Sequence, residues 1–220
     1  MIASALLTLA LAAAPAVTPS SKADPAEVAR LKAQASQIIE ASEAKAQFAD
    51  DTRWQFPAVR HRESGLRCLF QPGERDGDQI VRIGAEGVGT GVGCFSRPSG
   101  FSQRLEAVRL TSSDTLDTVF TGSVESIAGA RSGARAYEGP RMEIRIEPLP
   151  GGPKPAEIRS ARYLVQKDGQ EMFSLVSVAL IDGWYVRQYF EAPAARAEEA
   201  DMLASVVMST TLIDLAERKA

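Results

Sequence analysis

A chain of 220 residues, 45% hydrophobic and 24% charged, can build one sizeable core, and a net charge of −3 lacks the basic surplus that nucleic acid demands. With no asparagine, the sequence excludes N-glycosylation sequons and any Asn ligand or amide. One histidine and two cysteines are too few nitrogen and sulfur ligands for a zinc or transition-metal cluster, and no cofactor is implied.

Residues 1–16, MIASALLTLALAAAPA, carry no charged side chain and end in Ala14-Pro15-Ala16, a small-x-small cleavage pattern. This predicts a secretory signal peptide, too short and too alanine-rich to be a spanning helix. No other candidate membrane span follows, and residues 17–24 are a polar linker. Asp24-Pro25-Ala26-Glu27 then offers an N-cap, a first-turn proline and an N3 carboxylate, so a helix is expected over 25–49. Its stripe is Val28, Leu31, Ala35, Ile38 and Ile39, fading beyond.

The remainder, 50–220, reads as a single domain. Short strands are expected over 58–63, 66–71 and 79–84. In 87–94, glycines 87, 89, 91 and 93 alternate with Val88, Thr90, Val92 and Cys94. A phosphate-cradling loop must open a helix, and Pro98 forbids that continuation, so this run predicts a strand with one bare face. Residues 101–111 read as extended. Ser113-Asp114 is placed to cap a helix carrying Leu116, Val119, Phe120, Val124 and Ile127, with Gly129 at its end. A loop over 132–140 and a strand over 141–148 precede the C-terminal unit.

That unit is the best-specified part of the chain. Asp168-Gly169 and Asp182-Gly183 separate three β-like runs, and Asp-Gly is a strong type I′ hairpin signal. The middle run carries Met172, Val176, Val178 and Leu180 on one face and Phe173, Leu175, Ala179 and Ile181 on the other. It therefore belongs inside a sheet covered on both sides. In the flanking runs Tyr163 and Val165 oppose Arg162, and Trp184, Val186 and Phe190 oppose Arg187. After Pro193 a helix should cover the meander with Ala195, Met202, Leu203, Val206 and Val207. The expected fold class is α+β: a central antiparallel sheet with a C-terminal three-stranded meander, covered by helices.

Few residues suggest chemistry. His61 alternates with arginines, as on a half-exposed strand, and no G-x-S-x-G elbow accompanies it. Ser42-x-x-Lys45 matches the serine–lysine pair of penicillin-binding enzymes, which needs hydroxyl and amine one helical turn apart. A periplasmic serine hydrolase using Ser42 and Lys45 is the alternative function. Asp50-Asp51 and Glu198-Glu199 sit in solvated contexts. Arg60, Arg62 and Arg67 gather near Trp54, and an exposed Trp beside arginine is a common interface anchor, so these four are the expected binding residues.

The segment DGWYVRQYFEAP (182–193), followed by an Ala/Glu-rich helix, resembles the end of PsbP-like domains. It also resembles short exported proteins of unknown function from Gram-negative bacteria. The resemblance implies a strand with an aromatic start, a last helix packed on the sheet, and a non-catalytic accessory or assembly role. The main expectation is a periplasmic or secreted, non-enzymatic accessory or binding protein. Its partner would be a protein or small molecule, with neither nucleic acid nor a membrane span after signal cleavage. In an oxidising compartment Cys68 and Cys94, both on predicted strands, are expected to form a disulfide.

Overall fold

The computed structural model describes residues 24–53, 55–73, 76–83, 91–128, 133–143 and 157–217. Helix α1 (Pro25–Ala41) begins as expected, the Asp24 carboxylate accepting from the Ala26 N–H at 3.0 Å. It ends at Ala41 and does not continue to 49. Ser42 is the C-cap, and Glu43 turns the chain with a φ of 51°. Ala44 and Phe48 are buried through a turn and a short strand. The apolar stripe gives out at Ile39, and beyond it nothing holds a further helical turn on the core.

Strands β1 (Phe48–Asp50), β2 (Ala58–His61) and β3 (Arg67–Leu69) form a small antiparallel sheet. Strands β4 (Gln79–Ile83), β5 (Gly91–Ser96), β6 (Ser102–Arg109), β7 (Arg135–Ala136), β8 (Ile158–Lys167), β9 (Gln170–Ile181) and β10 (Trp184–Pro193) form a second. Its order is β4-β5-β6-β10-β9-β8-β7, every pair antiparallel. Two meanders thus meet at β6 and β10, and the chain passes between them through α2 (Leu116–Ala128). The fold is α+β, closed by α3 (Ala197–Glu217).

Three local expectations are corrected. Thr115 caps α2, its hydroxyl accepting from the Thr118 N–H at 3.2 Å, whereas Asp114 accepts from Thr111. Residues 141–143 are not a strand, and the rest of the run expected over 141–148 lies outside the described residues. The edge strand β7 falls instead in what reads as a loop. Gly87, Gly89 and Gly129 also lie outside the described residues. Gly91 and Gly93 do present a bare face: a Cβ on Gly93 would lie 2.6 Å from the Leu105 carbonyl oxygen.

The meander is as expected, both hairpin turns having positive φ at Asp168, Gly169, Asp182 and Gly183. Strand β9 is buried on both faces. Val176 and Val178 pack with Leu116 and Ile127 of α2, while Phe173 and Leu175 pack with Ala197, Ala200 and Ala204 of α3. Leu180, near the turn end of β9, is only partly buried, packed at the edge of the same cluster. Under α3 the core continues through Ile80, Leu105, Val186 and Met208 to α1 and the small sheet. Cys68 on β3 and Cys94 on β5 are joined, with Cα atoms 6.1 Å apart, and so tie the two sheets together.

Helix α3 is rotated from the expected setting. Its buried face is Ala197, Ala200, Ala204, Met208, Leu212 and Leu215, whereas Met202 and Val206 are 49% and 51% exposed. The reason is polar. Asp201 is buried beneath the helix, bonded to Arg162 Nε at 2.5 Å and to the Met142 N–H at 2.6 Å. Arg162, expected on an outward polar face, is the β8 residue that meets it. Alanines at 197, 200 and 204 let the helix approach closely enough to form this pair.

Among the described residues, Gln188 is the one whose whole side-chain amide is buried and unsatisfied. It is fully buried under α3 between Leu105 and Ser177. Gln188→Met, close in volume, should therefore raise stability by about 1–3 kcal/mol in urea denaturation. In the same assay Leu175→Ala, Val176→Ala or Val178→Ala should each cost about 2–4 kcal/mol, and Leu180→Ala less. Equal losses at Leu175 and Leu180 would contradict this two-sided packing.

Candidate functional site

The rotation of α3 leaves an apolar stripe only partly buried, and this stripe forms one wall of a groove of about 270 Å³. Leu203, Val206 and Val207 face Phe56 and Leu69, with Leu105 in the floor. Phe56, Leu69 and Val206 are 41%, 42% and 51% exposed, so large apolar side chains remain open along both walls. The small sheet brings Leu69 here because β3 pairs with β2 and is fixed to β5 by the disulfide. Cys94 itself lines the groove.

Arg67 and Asp214 also line the groove. Arg60 and Arg67 stand directly opposite each other on β2 and β3, an arrangement of like charges that would repel. Asp51 resolves it. Its Oδ2 lies 2.8 Å from Arg60 Nη2 and 2.9 Å from Arg67 Nε, and its Oδ1 lies 2.9 Å from Arg53 Nη2. Arg60 also donates to the Gly65 carbonyl at 3.0 Å, and Arg67 Nη1 lies 3.7 Å from Asp214 on α3. Burial alone would push the Asp51 carboxyl up, but the hydrogen bonds and charges of Arg60, Arg53 and Arg67 outweigh it and hold it below the ordinary range.

Two of the four expected binding residues, Arg60 and Arg67, are thus brought together. Arg62 lies one residue beyond β2 and is exposed, and Trp54 lies outside the described residues. Asp51, read as solvated, is the centre of the cluster; only the β1–β2–β3 register could have shown this. Asp50 is exposed as expected. Of the other acidic pair, Glu199 binds Arg196 at 2.7 Å on the surface.

His61 is buried, not half-exposed. Its Nδ1 is 2.8 Å from Ser64 Oγ, and its ring packs against Phe48 and Trp184. The serine–lysine reading fails on geometry. Because α1 ends at Ala41, Ser42 and Lys45 are not one helical turn apart; the Ser42 hydroxyl accepts from the Ile80 N–H at 3.1 Å, and Lys45 is exposed. Among the described residues no group of three or more His, Cys, Asp or Glu is placed to hold a metal ion, and no helix is long and apolar enough to cross a membrane.

Because the carboxyl is depressed in the folded state, Asp51 contributes stability above its unfolded pKa of about 3.9, and that contribution is lost as pH falls through the lower folded value. Asp51→Asn should cost about 1–3 kcal/mol at pH 7, by leaving Arg60 and Arg67 facing each other. Urea titrations across the acid range should show a shallower pH dependence below about pH 4 for the variant. An unchanged midpoint at pH 7 would remove Asp51 from this role.

No family model and no curated protein matches the chain. Among solved structures it is similar to the PsbP protein CyanoP of Synechocystis sp. PCC 6803, at 14% identity and a TM-score of 0.43, over 70% of this chain and 89% of that one. It is also similar to PA94 of Pseudomonas aeruginosa, a protein of unknown function, at 11% identity and a TM-score of 0.36, over 70% and 94%. A third is LpqN, involved in cell envelope biogenesis of Mycobacterium tuberculosis, at 11% identity and a TM-score of 0.34, over 63% and 84%. No function is drawn from these likenesses.

Proposed function

We propose that this chain is an exported, non-enzymatic accessory protein that binds an apolar or amphiphilic ligand in the groove between α3 and the small sheet. The observation that carries this reading is the open apolar stripe of Leu203, Val206 and Val207 facing Phe56 and Leu69. A soluble domain does not gain stability by leaving such side chains open on two facing walls. The ligand's apolar body fills the groove, and its polar end meets Arg67. Trp54, two residues before Phe56 in the sequence, is kept with Arg60, Arg62 and Arg67 as a candidate binding residue. The hydrophobic leader over 1–16 and the disulfide support a periplasmic or secreted location, where cystines persist.

Titration with the apolar dye N-phenyl-1-naphthylamine tests the reading. Saturable fluorescence enhancement is expected, weakened about tenfold or more by Val206→Glu or Leu69→Glu, both at exposed positions. Ser42→Ala should leave it unchanged, and a fluorophosphonate probe should not label Ser42. Absence of saturable enhancement, or enhancement equal in Val206→Glu, would remove the groove as the site. Mass spectrometry of the protein from its native host should find an N-terminus near Val17; a chain beginning at Met1 would remove the exported location.

A further inference from the structure

The opposite face of the large sheet carries a second charged cluster, on residues that do not line the groove. Glu106 on β6 is completely excluded from solvent, and its register partner on β10 is Arg187. Arg187 Nε donates to Glu106 Oε2 at 2.7 Å, and the other carboxylate oxygen is paired with Arg104. The Arg187 guanidinium carbon lies 5.6 Å and 5.1 Å from the Tyr185 and Tyr189 rings. Burial by itself lowers the pKa of Arg187, but the charge of Glu106 and its hydrogen bond outweigh that and hold Arg187 ionised.

This placement has two unusual features. Helix α2 packs chiefly on β9 and β8, and its last turn meets β10, where Ser126 Oγ lies 3.1 Å from the Tyr189 hydroxyl. There a hollow of about 340 Å³ opens, walled by Arg104, Arg187, Tyr189, Ser126 and Phe95. Gly93 stands opposite Glu106, and a Cβ there would come within 3.1 Å of Glu106 Cγ, so the bare strand makes room for the carboxylate. The second feature is charge. One guanidinium would neutralise Glu106, yet two are present, and the Arg104 terminal nitrogens have no hydrogen-bond partner among the described residues. Glu191, also on the wall, is held by Lys167 at 2.7 Å, so that pair adds no net charge. The excess is one positive charge at the mouth of a hollow with aromatic walls.

We propose that this hollow binds a small organic monocarboxylate, its carboxylate forked onto Arg104 and its apolar body set between Phe95, Ile127 and Tyr189. Arginine suits this task because its planar donors match both carboxylate oxygens at once. Ser126, whose Oγ is 3.1 Å from the Tyr189 hydroxyl, fixes the ring that forms one wall. Glu106 holds the two guanidiniums in place while leaving the outer nitrogens of Arg104 to the ligand.

Benzoate is the probe, with methyl benzoate as the neutral control, read by calorimetry and amide chemical shifts at low salt on the full chain. Saturable one-site binding of benzoate is expected, with shifts around Arg104, Ser126 and Arg187 and no binding of the ester. Arg104→Met should weaken binding about tenfold or more. Its side chain is 46% exposed and the Glu106–Arg187 pair stays intact, so the variant should fold. Added salt should weaken the wild-type interaction, and Val206→Glu should leave it unchanged. No saturable binding at millimolar benzoate, equal binding of the ester, or undiminished affinity in Arg104→Met would each overturn the proposal. So would shifts confined to the groove around Val206 and Leu69.

Discussion

The buried ion pair between Arg162 and Asp201 decides what this protein can present to a partner. Helix α3 is apolar on most of its circumference, so hydrophobic burial alone does not choose which side meets the sheet. A charged aspartate cannot be left buried without a partner, and the one rotation that delivers Asp201 to Arg162 also places alanines 197, 200 and 204 over Phe173 and Leu175. A buried pair of this kind adds little net stability over an apolar substitute. Its effect here is selection among near-equal packings. The side chains excluded by that selection, Met202 and Val206, are left open, and Val206 joins Leu203 and Val207 as a wall of the groove.

This explains how much was legible in the sequence. The meander could be read because its signals are local: Asp-Gly turns fix the hairpins, and alternation fixes each strand's faces. Two-sided burial of β9 followed from apolar residues at both parities of the strand. The rotation of α3 was not legible, since periodicity favours the longer side chains at 202, 203, 206 and 207 over the alanines. Arg162 and Asp201 are thirty-nine residues apart, and no local pattern links them. The cystine could be anticipated from compartment and strand context. The end of α1 could not, because Ala44 and Phe48 continue the apolar content through a different backbone path.

The disulfide has a consequence beyond its chain-entropy effect of about 3–4 kcal/mol. The small sheet has strands of only three or four residues, so it has little pairing of its own. It persists because α1 packs on it and because Cys68 is bonded to Cys94 within the large sheet. The groove lies along this junction, with Cys94 lining it, so the distance between its walls is set by a covalent bond on one side and by the setting of α3 on the other.

The two candidate sites share one physical device. In each, like charges on adjacent or nearby strand positions are forced together by the register, and a single carboxylate makes the arrangement tenable. At the groove Asp51 stands between Arg60 and Arg67, and a further carboxylate, Asp214, lies within reach of Arg67. There the charges are largely internally matched, and the apolar walls dominate. On the opposite face Glu106 stands between Arg187 and Arg104, while Glu191 on the same wall is matched by Lys167. That difference sets the chemistry each hollow can accept. The first favours an apolar body that displaces water from Phe56, Leu69 and Val206; the second favours an anion that supplies the missing negative charge. The separation follows from the sheet itself, since alternation along β10 sends Arg187 to one face and Gln188 to the other.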